Sequence, residues 1–354
     1  MRIIAFLLLA VPVLFSCKTE PKRTHPKEET SEIVFRMSFL LDGNSISLGD
    51  SVVVMVSAAD SIAVDDMEIE AGGELFPVKN GQAKLHTDHL KAGRNVVSGI
   101  LKHGGKEIKK SLTLVVKNSK EAKQYGYKII STLPHDPQAY TQGFVWHEGS
   151  FYEGTGLEKK SSLREVDEKT GTVKRSISLA PQYFGEGVAI YQDRIYQLTW
   201  KNRKGFVYDL KSFQLVREFS YATEGWGLTT MDSVLVMSDG SEMLYLLDPE
   251  GLSVVDKLEV YNENGPVGNL NELEFIDGLI WANIYGQELI VQIDPKTGFV
   301  VSILDASELL NWKQRGSADV LNGIAYDSVG KRIFLTGKLW PNVFQIEMKA
   351  RPQP

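Results

Sequence analysis

Short runs of alternating apolar and polar residues, rather than helical stripes, occupy most of this chain. Between residues 32 and 118 they include Val34-Phe35-Arg36-Met37, Ser51-Val52-Val53-Val54-Met55-Val56 and Ser111-Leu112-Thr113-Leu114-Val115-Val116. Turn formers such as Asp42-Gly43-Asn44 and Lys79-Asn80-Gly81 separate them. Period-two runs broken by Gly and Asn read as strands joined by tight turns. About seven such strands in a segment of this length predict an immunoglobulin-like β-sandwich. A polar stretch, residues 118–124, follows.

Beyond it the chain repeats itself. Five segments open alike: Gln142-Gly143-Phe144, Glu186-Gly187-Val188, Trp226-Gly227-Leu228, Asn271-Glu272-Leu273 and Asn322-Gly323-Ile324. Their first residues are 44, 40, 45 and 51 positions apart, the period of a four-stranded propeller blade. Within the repeats a second strand follows a short turn, as in Asp277-Gly278-Leu279-Ile280-Trp281, and a third ends in an acidic turn such as Asp294-Pro295-Lys296-Thr297-Gly298. The expected fold is therefore all-β, with a five-bladed β-propeller over residues 125–350 preceded by the small sandwich over residues 32–118. The last repeat is one strand short, and Lys128-Ile129-Ile130-Ser131, ahead of the first, is placed to complete it and close the ring. Closure removes an exposed sheet edge.

The amino terminus follows different rules. Arg2 precedes an apolar run from Ile3 to Phe15, the length of an export signal and too short for a membrane-spanning helix. It ends in Leu14-Phe15-Ser16-Cys17, which resembles a bacterial lipobox. Residues 1–17 are thus expected to be a lipoprotein signal with lipidation at Cys17, and residues 18–31 a polar tether. The expected location is the cell envelope, on a membrane facing periplasm or exterior. Composition narrows the function classes. Of 354 residues 43% are apolar and 24% charged, and the net charge is -6, so the basic footprint of a nucleic-acid binder is missing. With Cys17 the only cysteine, intrachain disulfides and cysteine-based metal clusters are excluded. A closed ring leaves no obvious edge for pairing, so a monomer is expected.

In a propeller the residue that opens each innermost strand lies at the mouth of the central channel. Here those residues are Gln142, Glu186, Trp226, Asn271 and Asn322, four polar side chains and one indole. A buried carboxylate is costly unless it has a partner or a task. Glu153, Trp200, Glu224, Tyr285 and Lys338 gather near the same mouth by their places in the repeats. The repeat region holds only His135 and His147, neither at an opening position, which disfavours a histidine zinc centre or a Ser-His-Asp relay. His86 and His89, in strand and turn context, read as a solvated pair. Thr336-Gly337-Lys338 lacks the loop of a phosphate-binding motif. Carboxylate acid-base chemistry remains, with Glu186 the carboxylate and Lys338 the cation.

Tyr140-Thr141-Gln142-Gly143, Tyr183-Phe184-Gly185-Glu186-Gly187, Gly225-Trp226-Gly227-Leu228, Leu270-Asn271-Glu272-Leu273-Glu274, Trp281-Ala282-Asn283, Val320-Leu321-Asn322-Gly323-Ile324-Ala325 and Ile333-Phe334-Leu335-Thr336-Gly337-Lys338-Leu339-Trp340-Pro341 resemble, in this order, the plant-type glutaminyl-peptide cyclotransferases. The resemblance covers residues 127–347. It implies a five-bladed propeller that converts the N-terminal glutamine of peptides or proteins to pyroglutamate and releases ammonia, with no catalytic zinc and no required cofactor; it is silent on a structural metal ion. Carried over by position, it implies Glu186, Lys338 and Asn271 as catalytic, and Gln142, Glu153, Trp200, Trp226, Tyr285 and Asn322 as substrate-binding. Two departures stand out: the family's Glu-Ser-Thr-Gly is here Glu153-Gly154-Thr155-Gly156, and a frequent tryptophan is Tyr285. The competing reading is a lipoprotein whose propeller binds a peptide or glycan without turning it over. Glu186 together with Lys338 favours catalysis, and a calcium-dependent lactonase would need more inward carboxylates.

Overall fold

The alternating runs become strands throughout, and among the described residues there is no α-helix. The computed structural model describes residues 35–351 apart from 59–62, 64–65, 104 and 312–314. The signal, Cys17 and the tether lie outside the described residues.

Residues 35–117 form eight strands in two sheets. Phe35–Phe39, Ser51–Ala58 and Gln82–His86 make an antiparallel three-stranded sheet. Ser45–Ser47, Lys106–Lys117, Gly93–His103, Met67–Ala71 and Glu74–Pro77 make a five-stranded one, in that order. In Ser51–Ala58 the alternation is literal, with Val52, Val54 and Val56 buried and their neighbours less so. Asn80 and Gly81 both adopt positive φ (51° and 72°), the geometry an Asn-Gly hairpin turn requires. His86 accepts or donates a bond at Ser51 Oγ, and His89 lies 3.0 Å from the Ala71 carbonyl.

The repeats form three four-stranded antiparallel sheets, each in chain order. The first runs from Thr141–His147 to Val173–Ser178, the second from Gly185–Tyr191 to Leu215–Ser220, and the third from Leu228–Met231 to Val254–Glu259. The remaining strands form one eight-stranded sheet. Its first half is Leu270–Ile276, Leu279–Ile284, Leu289–Ile293 and Val300–Asp305; its second is Lys123–Pro134, Asn342–Ala350, Arg332–Gly337 and Leu321–Asp327. The segment expected to complete the last repeat does so: Lys123–Pro134 pairs antiparallel with Asn342–Ala350 along nine residue pairs. A short parallel pairing with Val300–Asp305 joins the two halves.

Contacts among the opening strands run in a closed circuit, from Thr141–His147 through each successive one to Leu321–Asp327 and back. Apolar clusters fill the spaces between successive sheets. At the seam where last meets first, Phe144 stacks on Phe151 at 4.6 Å between centroids, and Phe151 meets Phe334 edge-on at 5.2 Å. Truncating a buried Phe of this kind typically costs about 3–5 kcal/mol.

The glycines that follow the opening residues let these strands approach. A Cβ at Gly143 would lie 2.3 Å from the Val188 nitrogen, and one at Gly227 only 1.9 Å from the Asn271 carbonyl oxygen. The fourth repeat has Glu272 in the glycine position. Its side chain is fully buried and reaches two other opening strands, accepting the backbone N–H of Phe144 (3.2 Å) and of Ile324 (2.8 Å). Two residues on, Glu274 accepts the Thr229 hydroxyl and the Tyr326 N–H, both at 3.1 Å.

The N-terminal sheets are fastened to the flank of the third and fourth repeats. Arg94 bridges Glu259 (3.0 Å) and Glu242 (3.3 Å), Lys91 meets Asp256 (3.0 Å), and the Ala92 N–H donates to the Thr297 carbonyl. Within the polar stretch after them, Asn118 donates to the Val300 carbonyl and Ala122 is buried.

Candidate active site

Four of the five opening residues, Gln142, Glu186, Trp226 and Asn271, share a cleft of about 220 Å³ with Lys338, which follows the second strand of the last repeat, Arg332–Gly337. Trp226, two residues ahead of its strand, adds a wall, and Trp200, Tyr285, Tyr140 and Phe184 supply the rest. The lining is therefore aromatic with four polar groups, the composition of a site that binds a small polar group in a largely apolar pocket.

Glu186 is 4% exposed. Gln142 Nε2 donates to its Oε1 at 3.1 Å, while Gln142 Oε1 accepts from Asn322 Nδ2 at 3.3 Å. That second bond orients the Gln142 amide so that its N–H faces the carboxylate. Burial pushes the Glu186 carboxyl well above its usual range; the nearby Lys338 charge opposes this and the Glu224 charge adds to it. A carboxyl whose proton affinity is raised in this way is suited to act as an acid as well as a base.

Lys338 is 3% exposed, its ammonium 5.0 Å from the centre of the Tyr140 ring and 4.9 Å from that of Tyr285. Burial lowers its proton affinity, against the pull of Glu186 and Asp319. Two ring faces partly replace water around the charge. Its backbone is pinned by bonds to Val320 and Asp319, and the next residue, Leu339, takes a positive φ of 60° while donating to the Ala139 carbonyl. The Tyr140 hydroxyl donates to Asp319, and burial with that carboxylate's charge pushes it far above its ordinary range. Asn271 is 2% exposed, and its side-chain oxygen is buried with no protein donor. An acceptor so left asks for a donor from a bound molecule.

Two residues expected to bind substrate do not line the cleft. Glu153 is 1% exposed and turned away into the seam, where it accepts from Thr141 Oγ1 (2.7 Å) and pairs with His135 Nε2 (3.0 Å). The other ring nitrogen of His135 meets the Trp340 carbonyl at 2.7 Å. Burial opposes both charges, but their attraction prevails, raising the proton affinity of His135 and lowering that of Glu153. Asn322 lies behind Gln142, spending its amide N–H bonds on Gln142 Oε1 and the Thr141 carbonyl. It orients a lining residue instead of being one.

Tyr140 and Phe184 are not singled out by the sequence reading, and Glu224 is placed by it only near the mouth, yet each stands two residues ahead of an opening position. Tyr140 and Phe184 line the cleft, and Glu224 bonds both wall tryptophans. The repeat spacing that found the opening residues holds for these too. Of the family departures, Gly154 abuts the Glu186 carbonyl, which a Cβ would approach to 2.5 Å. Tyr285 meets Trp226 edge-on at 5.6 Å. Among the described residues no group of three or more His, Cys, Asp or Glu side chains is placed to hold a metal ion.

The fold and cleft define a β-sheet protein with a buried carboxylate, a caged lysine and an aromatic pocket. The sequence model of the glutamine cyclotransferase family matches residues 106–348, and the chain belongs to that family. The match begins inside Lys106–Lys117, a strand of the N-terminal sheets, ahead of the repeat motifs. A glutaminyl-peptide cyclotransferase of Arabidopsis thaliana is 41% identical over 228 residues, 63% of this chain and 71% of that protein. The crystal structure of Myxococcus xanthus glutaminyl cyclase superimposes with a TM-score of 0.62 at 37% identity, covering 66% of this chain and all of the other.

Proposed function

We propose that this protein is a glutaminyl-peptide cyclotransferase that closes an N-terminal glutamine onto itself. Family membership supports the reaction. The observation that carries the mechanism is a protonatable carboxyl, Glu186, sharing a small aromatic cleft with a caged lysine and an unsatisfied amide oxygen.

The α-amine attacks the γ-carboxamide carbon, a C–N bond forms, and the amine proton passes to Glu186. Glu186 returns it to the carboxamide nitrogen, whose bond to carbon breaks as ammonia leaves. One carboxyl serves as base and then acid, a role worth roughly 10² to 10⁴ in rate. Lys338 stabilises the negative charge that builds on the carboxamide oxygen. Asn271 Oδ1 accepts from the substrate's amide or amine N–H, and Gln142 holds Glu186 in place. Trp200, Trp226 and Tyr285 keep the side chain folded toward its own amine.

The repeats support a five-bladed propeller over residues 125–350, since five opening strands touch in a closed circuit. The two sheets before them support an immunoglobulin-like sandwich over residues 32–118. The lipobox-like Leu14-Phe15-Ser16-Cys17 supports lipid anchoring at Cys17 on an envelope membrane, with a monomeric protein acting on extracytoplasmic peptides. Replacement of Cys17 by Ser should move the protein from the membrane fraction to the soluble one.

Ammonia release and the matching mass loss from a short peptide beginning with Gln test the reaction. Turnover by the native protein and its loss in Glu186→Gln are expected. Turnover within a few-fold of native in that variant would overturn the role of Glu186.

A further inference from the structure

Trp200 and Trp226 come from different sheets, yet their indole N–H groups converge on one atom. Glu224 Oε2 accepts from Trp200 Nε1 at 2.6 Å and from Trp226 Nε1 at 3.1 Å. An indole N–H lies in the ring plane, so fixing its acceptor restricts how the ring can turn. The far side of each ring is held as well: Phe184 meets Trp200 at 5.6 Å, and Tyr285 meets Trp226 at 5.6 Å, both edge to face. At Gly240, whose φ is +84°, a Cβ would lie 2.7 Å from the Trp226 ring, so the backbone itself closes that side.

The Glu224 backbone is anchored in turn. The Gly225 N–H donates to the Trp200 carbonyl, the Trp226 N–H to that of Ser238, and Thr223 Oγ1 to that of Glu224. A side chain at residue 225 would strike the Tyr221 hydroxyl at 2.5 Å. Glu224 is thus a fixed strut between two walls of the cleft, and its charge is also felt at Glu186.

We infer that Glu224 is a positioning residue for the cyclisation, setting both tryptophan walls through one shared oxygen and adding a negative charge to the field at Glu186. This rests on the cyclotransferase reading above. Glu224 acts through the indoles and the field; it does not line the cleft. Around Glu186 the charged groups are Lys338, which favours the carboxylate, and Glu224, which favours the acid. The Tyr140 and Tyr221 hydroxyls also lie in the Glu186 field, and Asp319 bears on Lys338. Removing the Glu224 charge leaves Lys338 less opposed, and Glu186 then gives up its proton at lower pH.

The two contributions separate in two variants of the full chain. Glu224→Gln keeps an oxygen acceptor for the indoles and removes the charge; Glu224→Ala removes both. In Glu224→Gln, KM for a Gln-peptide should stay near native, while the acid-side limb of the kcat–pH profile, which reports groups in the enzyme–substrate complex, moves to lower pH. In Glu224→Ala, KM should rise and kcat should fall by about 10²-fold, the loss that a misplaced near-attack geometry brings. Near-ultraviolet circular dichroism should change in the Ala variant and be largely restored in the Gln variant.

An unchanged pH limb in Glu224→Gln overturns the field contribution. Native KM and native tryptophan dichroism in Glu224→Ala overturn the strut. If the Ala variant does not fold, dichroism and KM of Glu224→Gln against Glu224→Leu decide the strut in its place. Full turnover by Glu186→Gln would mark failure of the underlying mechanism, whereas the dichroism reports on Glu224 whatever the reaction.

Discussion

Two buried glutamates, Glu186 and Glu272, differ in what surrounds their oxygens. Glu186, at the mouth of the ring, has one protein donor, the Gln142 amide, and a caged ammonium nearby. Glu272, in the opening strand Leu270–Ile276, spends one oxygen on the Phe144 N–H and the other on the Ile324 N–H. Burial raises the proton affinity of both. The difference teaches that burial alone does not mark a reactive carboxyl: lone pairs left for a ligand do. Glu272 is a tie between three opening strands, and Glu186 is the group left with capacity to move a proton.

The sharpest way to break this contrast is to neutralise each in turn. Glu186→Gln keeps an oxygen for the Gln142 amide, so it should lose about 10² to 10⁴ in kcat while its denaturation midpoint stays near native. Glu272→Ala should do the reverse. It leaves two buried N–H groups without an acceptor, each costing about 1–3 kcal/mol, and opens space among packed strands. A loss of roughly 3–5 kcal/mol in chemical denaturation is expected, with Glu272→Gln, which keeps one acceptor oxygen, losing about half as much. Native stability in Glu272→Ala would remove the tie from the account.

A third prediction extends the contrast to pH. Glu274, also buried, is pushed up to about 8, mainly by burial, with the Thr229 and Tyr326 bonds pulling the other way. A carboxyl raised in the folded state stabilises the fold below its unfolded pKa of about 4.5, and that contribution is lost as pH rises toward 8. Stability should therefore fall between about pH 5 and 8, by at most a few kcal/mol. Glu274→Gln should flatten the slope, and an equally steep profile in that variant would assign it to Glu186 and Glu272.

Much of this was legible in the chain before any coordinates, for a physical reason. Alternation and turn residues are local, and a repeat writes its geometry five times, so the opening residues and the completing strand near Lys128 could be located by counting. The opening position alone brought Gln142, Glu186, Trp226 and Asn271 to one mouth. What escaped were bonds that exist only once the ring closes: Glu153 to His135 across the seam, Asn322 to Gln142, and one Glu224 oxygen between two sheets. Spacing places a residue near an axis but does not say which neighbour its side chain prefers. Glu272 did carry a signal, a large charged residue where four other repeats have glycine, and a departure from an internal repeat can be read as an added contact.

The smallest expected effect tests how tightly the mouth is built. The family motif that Glu153-Gly154-Thr155-Gly156 resembles carries serine in place of Gly154, yet here a Cβ at that position would meet the Glu186 carbonyl oxygen at 2.5 Å and the Val188 side chain at 2.6 Å. The strand carrying Glu186 therefore sits closer to its neighbour than a side chain allows. Gly154→Ser should push the two strands apart, costing about 1–3 kcal/mol as overpacking does, and tilt the Glu186 carboxyl relative to Lys338. Because the displaced group is the backbone of Glu186, the residue proposed as acid and base, kcat should fall several-fold while KM changes less. A Gly154→Ser protein with native stability and native kcat would mean that this approach relaxes freely, and that the rigidity argued for the mouth resides in the Gln142 and Asn322 bonds instead.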